Sequence, residues 1–169
     1  MLNGSLRVHG LDGLRLEPLS TFFLGPGKTM LKPGDIVTAI LFPIPPKGSA
    51  GKYIKLGRNT LSDLAIVGVT ALGYPDGETP SGYRFRLALA SVAPVPLIPK
   101  EAEAILVEEP ISEATIEKAA EAAMNACNPI DDVRGSARYR KLMVRNLTRK
   151  AVSEVWKGLG GQQAVGSGQ

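Results

Sequence analysis

The sequence predicts an α+β fold: an antiparallel sheet of about three strands followed by a three-helix bundle. Three observations lead there. Strand-type patterns fill the chain up to residue 98, the composition changes abruptly at Pro99, and helix-type periodicity runs from there to Lys157. No repeat of fixed period is visible.

The elements can be justified in order. Leu6 to Leu16 alternates apolar and polar residues around Gly10, Asp12 and Gly13. This predicts a short hairpin, Leu6–Val8 with Leu14–Leu16. A lone hairpin is marginal in water, so this one is expected to belong to something larger. Gly25-Pro26-Gly27 and Lys32-Pro33-Gly34-Asp35 are turn signals. Between Ile36 and Phe42 lies a strand rich in β-branched residues, stopped by Pro43. Ile44 to Ser49 is a loop. Gly51–Gly57 is a second strand, and Asp63–Leu72, almost wholly apolar, reads as a third, buried on both faces. Tyr74-Pro75-Asp76-Gly77 is a turn. Beyond it Tyr83, Phe85, Leu87 and Leu89 alternate with Arg84, Arg86 and Ala88, a strand with one wet face. The last two strands then form a hairpin around a loop of moderate length.

Pro99 suits the first position of a short helix over Lys100–Leu106. Ser112 is a good N-cap for a second helix, whose inward face is Ile116, Ala119, Ala120, Ala123 and Cys127. Asn128-Pro129 ends it. A third helix starts near Ser136 and runs to about Lys157, with Tyr139, Met143, Leu147, Ala151 and Val155 as its expected inward stripe. The Gly- and Gln-rich stretch 158–169 reads as a flexible tail.

Composition narrows the function classes. The chain has 169 residues, 44% apolar and 21% charged, the balance of an ordinary globular domain that needs no metal or disulfide to fold. One cysteine, Cys127, excludes an internal disulfide or a cysteine-rich metal centre, and one histidine, His9, excludes a multi-histidine site within the chain. Cytoplasmic localisation is the expectation. No signal peptide and no run of about 18 apolar residues is visible, so no membrane partner is expected. A net charge of +4 with few aromatics disfavours nucleic acid.

Catalytic constellations are nearly absent, and neither catalytic nor metal residues are assigned. His9 reads as a solvated turn residue and Cys127 as a small buried hydrophobe. Gly25-Pro26-Gly27-Lys28-Thr29 lacks the spacing of a phosphate loop, and Pro26 removes an amide donor, so it reads as a turn. Asp131-Asp132 reads as a loop capping the next helix. Arg138, Lys141, Arg145 and Arg149, with Arg140 and Lys150, form a basic helical stripe: a solvated face, a subunit contact or a phosphate site.

Four segments in order resemble one known family. They are Phe22-Phe23-Leu24-Gly25-Pro26-Gly27-Lys28-Thr29 with Leu31 to Pro43; Tyr53-Ile54-Lys55-Leu56-Gly57-Arg58 with Asp63-Leu64-Ala65-Ile66-Val67; Leu87 to Pro96 with Glu101-Ala102-Glu103; and Arg134-Gly135-Ser136-Ala137-Arg138-Tyr139-Arg140 with Arg149-Lys150-Ala151. Together they resemble the carboxy-terminal domain of the FAD-binding medium subunit of the molybdenum hydroxylases, the carbon monoxide dehydrogenase and xanthine dehydrogenase family.

The resemblance implies a domain over 20–157, preceded by residues 1–19 as the remnant hairpin of a FAD-binding domain. It implies a part in an oxidoreductase complex, with FAD relaying electrons between iron–sulfur clusters and an acceptor. Its implied partners are a missing N-terminal FAD-binding segment, a molybdenum-cofactor large subunit and a 2Fe-2S small subunit. The Gly-rich turns that hold the pyrophosphate in the family are not found here, so the chain is expected to be a fragment or the product of a split gene, to bind FAD poorly alone and to be inactive alone. The implied ring contacts are Leu64, after the Asp of the second segment, and Ser91, Val92 and Ala93 in the loop after the last strand. Many relatives carry a Gly pair where this chain has Ala90-Ser91. Arg58 and Asp63 are placed to pair and hold the entry to the third strand, a structural role and not a catalytic one. The other function classes are a non-catalytic subunit-interaction module and, less favoured, a nucleic-acid-binding domain.

Overall fold

A computed structural model of the chain describes residues 1–59 and 63–160, in two compact units, Met1–Pro45 and Pro46–Gln169. Thr60, Leu61 and Ser62, and most of the expected tail, lie outside the described residues.

The first unit is built on β1 (Ser5–Gly10), β2 (Gly13–Pro18), a single helical turn α1 (Leu19–Phe22), β3 (Phe23–Gly25), β4 (Lys28–Thr29) and β5 (Ile36–Leu41). The expected hairpin forms, turning on Gly13 at φ +102°. β5 returns to pair antiparallel with β1, giving a sheet of order β2-β1-β5. The segment up to Pro45 therefore goes with the opening hairpin and not with the later strands. His9 sits within β1, opposite Leu14 and Ile36, instead of in the turn. The Gly25–Thr29 stretch is the tight β3–β4 hairpin, a turn as its sequence indicates.

Strand alternation gives this sheet two different faces. Leu6 and Val8 bury one face against Phe22, Leu19, Met30 and Leu31. Leu14, Leu16 and Ile36 belong to the other face by register and are 65%, 61% and 65% exposed.

The second unit carries β6 (Ala50–Leu56), β7 (Val67–Pro75), β8 (Tyr83–Ala90), α2 (Lys100–Glu108), α3 (Glu113–Ala126) and α4 (Ala137–Gly158). This is the α+β plan the sequence indicates: an antiparallel sheet, order β6-β7-β8, then three helices. β7 is central and buried on both faces, as its apolar run implies. Phe85, Leu87 and Leu89 alternate inward on β8, meet Gly73, Ala71 and Val69 across the ladder, and are fully buried. Each contributes roughly 1.5–3 kcal/mol of apolar burial.

Helix starts follow local chemistry. Ser112 Oγ accepts from Thr115 N at 3.1 Å, and Ser136 Oγ accepts from Tyr139 N at 3.2 Å. The inward face of α3 is the expected one, with Cys127 packed beneath it. α4 crosses β6 and β7 so closely that Gly73 lies against Val155 and Leu159. At that end Tyr83 and Trp156 meet edge to face, ring centroids 4.8 Å apart.

Two expectations are corrected. The strand expected from Asp63 begins only at Val67, because the Asp63 carboxylate turns back to accept from Arg58 N (2.6 Å) and Nε (3.2 Å) instead of entering the strand. The Arg58–Asp63 pair itself is the one the sequence indicates. The inward stripe of α4 is shifted: Arg140, Val144, Thr148, Ala151, Val152 and Val155 are buried, while Tyr139 is 41% exposed. The buried frame contains an arginine and a threonine, which a hydrophobic reading passes over.

Candidate functional site

Two loops at one end of the β6-β7-β8 sheet carry the residues the sequence singles out. Leu64 lies in the loop before β7 and is 70% exposed, not strand core. Ser91 follows β8 directly, exposed, with φ +65° in the left-handed region. A side chain there is strained, which accounts for glycine suiting this position. Ala93 is half-buried. Val92 points its side chain into the core and is fully buried, so of this loop only Ser91 and Ala93 offer side-chain surface. The Val92 carbonyl accepts from Asn128 N at 3.0 Å, tying the loop to the end of α3.

What joins the two loops is Arg140. Its Nη1 donates to Ile66 O at 2.7 Å and to Ser91 O at 3.1 Å. Its Nη2 donates to Asp132 Oδ1 at 2.6 Å, and its Nε to Gly135 O at 3.5 Å. The Arg140 side chain is 3% exposed. Burying a guanidinium is costly unless its donors are satisfied, and here carbonyls from three segments and one carboxylate do so.

Asp132 is held well below the usual carboxylate range, first by the backbone amide of Arg134 and then by the side chains of Arg134 and Arg140, against the opposing effect of desolvation. Asp131 caps the next helix, its Oδ1 accepting from Ala137 N at 2.6 Å. The Asp131-Asp132 pair is thus a capping and clamping loop.

Arg140 is absent from the residues the sequence singles out for the flavin ring. A signal was there: an arginine in register with Val144 and Thr148, four and eight residues on, occupies the inward frame of an amphipathic helix. A charged residue in that frame calls for a buried partner, and Asp132 lies one loop earlier.

The remaining chemistry is structural. Burial pushes the Cys127 thiol up to about 11, so it is not poised as a nucleophile. Arg145 pairs with Glu117 at 2.5 Å and approaches Glu121 at 3.9 Å, and Arg149 lies 3.7 Å from Glu117. Part of the basic stripe is therefore consumed by α3–α4 pairing. Among the described residues, no group of three or more His, Cys, Asp or Glu side chains is placed to hold a metal ion, and no helix is long and apolar enough to cross a membrane.

Comparison with known proteins agrees with this architecture. Residues 52–155 match the CO dehydrogenase flavoprotein C-terminal domain. The carbon monoxide dehydrogenase medium chain of Hydrogenophaga pseudoflava is 31% identical over 149 residues, 88% of this chain and 51% of the relative. A putative xanthine dehydrogenase FAD-binding subunit of Escherichia coli K12 is 29% identical over 161 residues, 95% of this chain and 54% of the relative. The chain thus spans about half the length of these curated relatives. Among solved structures, carbon monoxide dehydrogenase from Hydrogenophaga pseudoflava superposes with TM-score 0.85 at 30% identity, covering 93% of this chain and 54% of that one. A Cu,Mo-CO dehydrogenase superposes with TM-score 0.84 at 28% identity, over 93% and 54% of the two chains. With most of its second unit matched by the family profile and its fold by these structures, the chain belongs to the CO dehydrogenase flavoprotein C-terminal domain family.

Proposed function

We propose that this domain closes over one side of the flavin ring in the FAD-binding subunit of a molybdenum hydroxylase, where electrons pass between iron–sulfur clusters and an external acceptor. The observation that carries the reading is the pairing of two exposed loop positions, Leu64 and Ser91, on segments whose carbonyls share one nitrogen of Arg140. An exposed leucine and an exposed small side chain, on loops tied to one arginine, suit a flat, largely apolar ring edge, and their chemistry fits an isoalloxazine.

When bound, the flavin supplies the redox chemistry. This chain supplies position and exclusion of water. Leu64 gives an apolar surface, Ser91 and Ala93 give small side chains that let backbone approach closely, and Val92 anchors their loop in the core. The phosphates are assigned to a partner segment, which a chain covering half the length of its relatives leaves room for. A molybdenum-cofactor large subunit and a 2Fe-2S small subunit complete the proposed complex.

A second reading, a subunit-contact module, is favoured by the exposed side chains of Leu14, Leu16 and Ile36, which share a sheet face with Arg7 and His9. The two readings separate by experiment. FAD added to the isolated chain should give little or no yellow complex, and the complete subunit should bind it. Leu64→Arg in the complete subunit should alter the flavin absorption spectrum while the subunits still assemble. Tight FAD binding by the isolated chain, or an unchanged spectrum with Leu64→Arg, overturns the ring-covering reading.

A further inference from the structure

We propose that Arg140 is a positioning residue for the ring-facing surface: from α4 it sets the backbone of the Leu64 and Ser91 loops without touching the ring itself. The inference rests on the reading that these loops face the flavin. It adds a residue that lies outside them and acts through their main chain.

The first argument is what Arg140 replaces. Val144, Ala151, Val152 and Val155 already pack α4 on the sheet, and an apolar residue at 140 would extend that packing. A buried ion pair is often no more stabilising than well-packed apolar side chains of similar volume, so stability alone is a weak reason for an arginine here. The second is what it grips. Its bonds go to the main-chain oxygens of Ile66, Ser91 and Gly135, which lie before β7, after β8 and before α4. Nothing shorter than a guanidinium fork offers so many donors in one plane.

The third argument is strain. Ser91 is a non-glycine residue at φ +65°, a conformation that persists only where its surroundings over-determine it. Arg140 fixes its carbonyl, and Asn128 N fixes that of Val92 next to it. The fourth is the orientation of the fork. Asp132 accepts from Nη2 of Arg140 at 2.6 Å and from Nη2 of Arg134 at 2.7 Å, and its Oδ1 accepts from Arg134 N at 2.8 Å. The carboxylate is therefore fixed before it fixes Arg140. The result is a chain of contacts from Asp132 through Arg140 to the two carbonyls, with Leu64 two residues from one and Ser91 bearing the other.

The test uses the complete FAD-loaded subunit and three variants, Arg140→Lys, Asp132→Asn and Leu64→Arg. Lysine keeps the charge but loses the fork. For Arg140→Lys we expect native far-ultraviolet circular dichroism and a changed visible circular dichroism of the flavin. Amide exchange within 63–66 and 90–93 should rise on the order of 10–100-fold, the factor that loss of one charge-assisted hydrogen bond gives. Asp132→Asn, which keeps the side-chain shape, should shift the same signals in the same direction by less, and it carries the test should Arg140→Lys not fold. If Leu64→Arg changes the flavin signal while both clamp variants leave it unchanged, Arg140 is only a stability element and the inference is overturned. If Leu64→Arg is silent as well, the ring-covering reading falls, and the inference with it.

Discussion

Glu103, on α2, accepts the backbone amide of Leu87 on β8 at 2.7 Å, while the same carboxylate oxygen lies 3.3 Å from Nε of Arg86. β8 is an edge strand covered by α2, and this contact gives an outward-facing ladder amide a partner beneath the helix. Glu103→Ala leaves a buried strand donor unpaired and should lower stability by about 1–3 kcal/mol. Glu103→Gln keeps an acceptor and should recover most of the loss. Urea unfolding followed by Trp156 fluorescence measures both.

Gly73 marks a close approach of sheet to helix. A Cβ there would come within 2.8 Å of Val155 Cγ1, 2.9 Å of Leu159 Cδ1 and 3.0 Å of Phe85 Cε1. Gly73→Ala should therefore destabilise the second unit by roughly 1–3 kcal/mol through overpacking. Gly77→Ala, where a Cβ meets nothing within 4 Å, is the control. Thermal melts of the two variants should differ clearly.

Asp35 should govern the acid stability of the first unit. Hydrogen bonds from the Arg15 side chain, followed by the Lys32 amide, lower its carboxyl from 3.8 to about 2. A depressed native value means the contribution is complete above the unfolded value and is lost as pH falls through about 2. Asp35→Asn should weaken the first unit at pH 7 and make no difference at the acid end, read on the β1 amides by nuclear magnetic resonance.

Ser91 carries a Cβ in the left-handed region, which costs roughly 1–2 kcal/mol. Glycine removes that strain but brings roughly 0.4–1 kcal/mol of extra unfolded-state freedom. Ser91→Gly should thus raise stability by up to about 1.5 kcal/mol, whereas Ser91→Ala, which keeps the Cβ, should give no such gain. Calorimetric melts of both variants decide it.

The parts legible in the sequence are those set by neighbours in the chain. Ser112 and Ser136 mark helix starts because a cap bonds an amide three residues on. β8 is legible because alternation over Tyr83–Leu89 maps directly onto one buried face. β7 is legible as the two-sided central strand, although its start is not: the strand begins at Val67, and the Asp63 carboxylate is taken up by Arg58. The pairing of β5 with β1 spans about 30 residues, and no local pattern announces it. At the candidate site, Leu64 and the Ser91 loop are indicated by family resemblance, while their exposure and the burial of Val92 depend on how distant segments pack. Arg140 falls in a basic stripe whose charges read as solvent-facing, and only the fold shows the carbonyls that it meets.

Since Arg140 holds main-chain oxygens, it is indifferent to the identities of the residues that own them. Any residue at 66 or 91 that tolerates the backbone geometry presents the same acceptors, and the bonds of Arg140 go to no atom of residue 64. Variation can therefore act on the exposed side chains of both loops while their scaffold stays put. Mutational libraries at 64 and 93 are the natural place to tune this surface, and those touching 132 or 140 should yield few survivors.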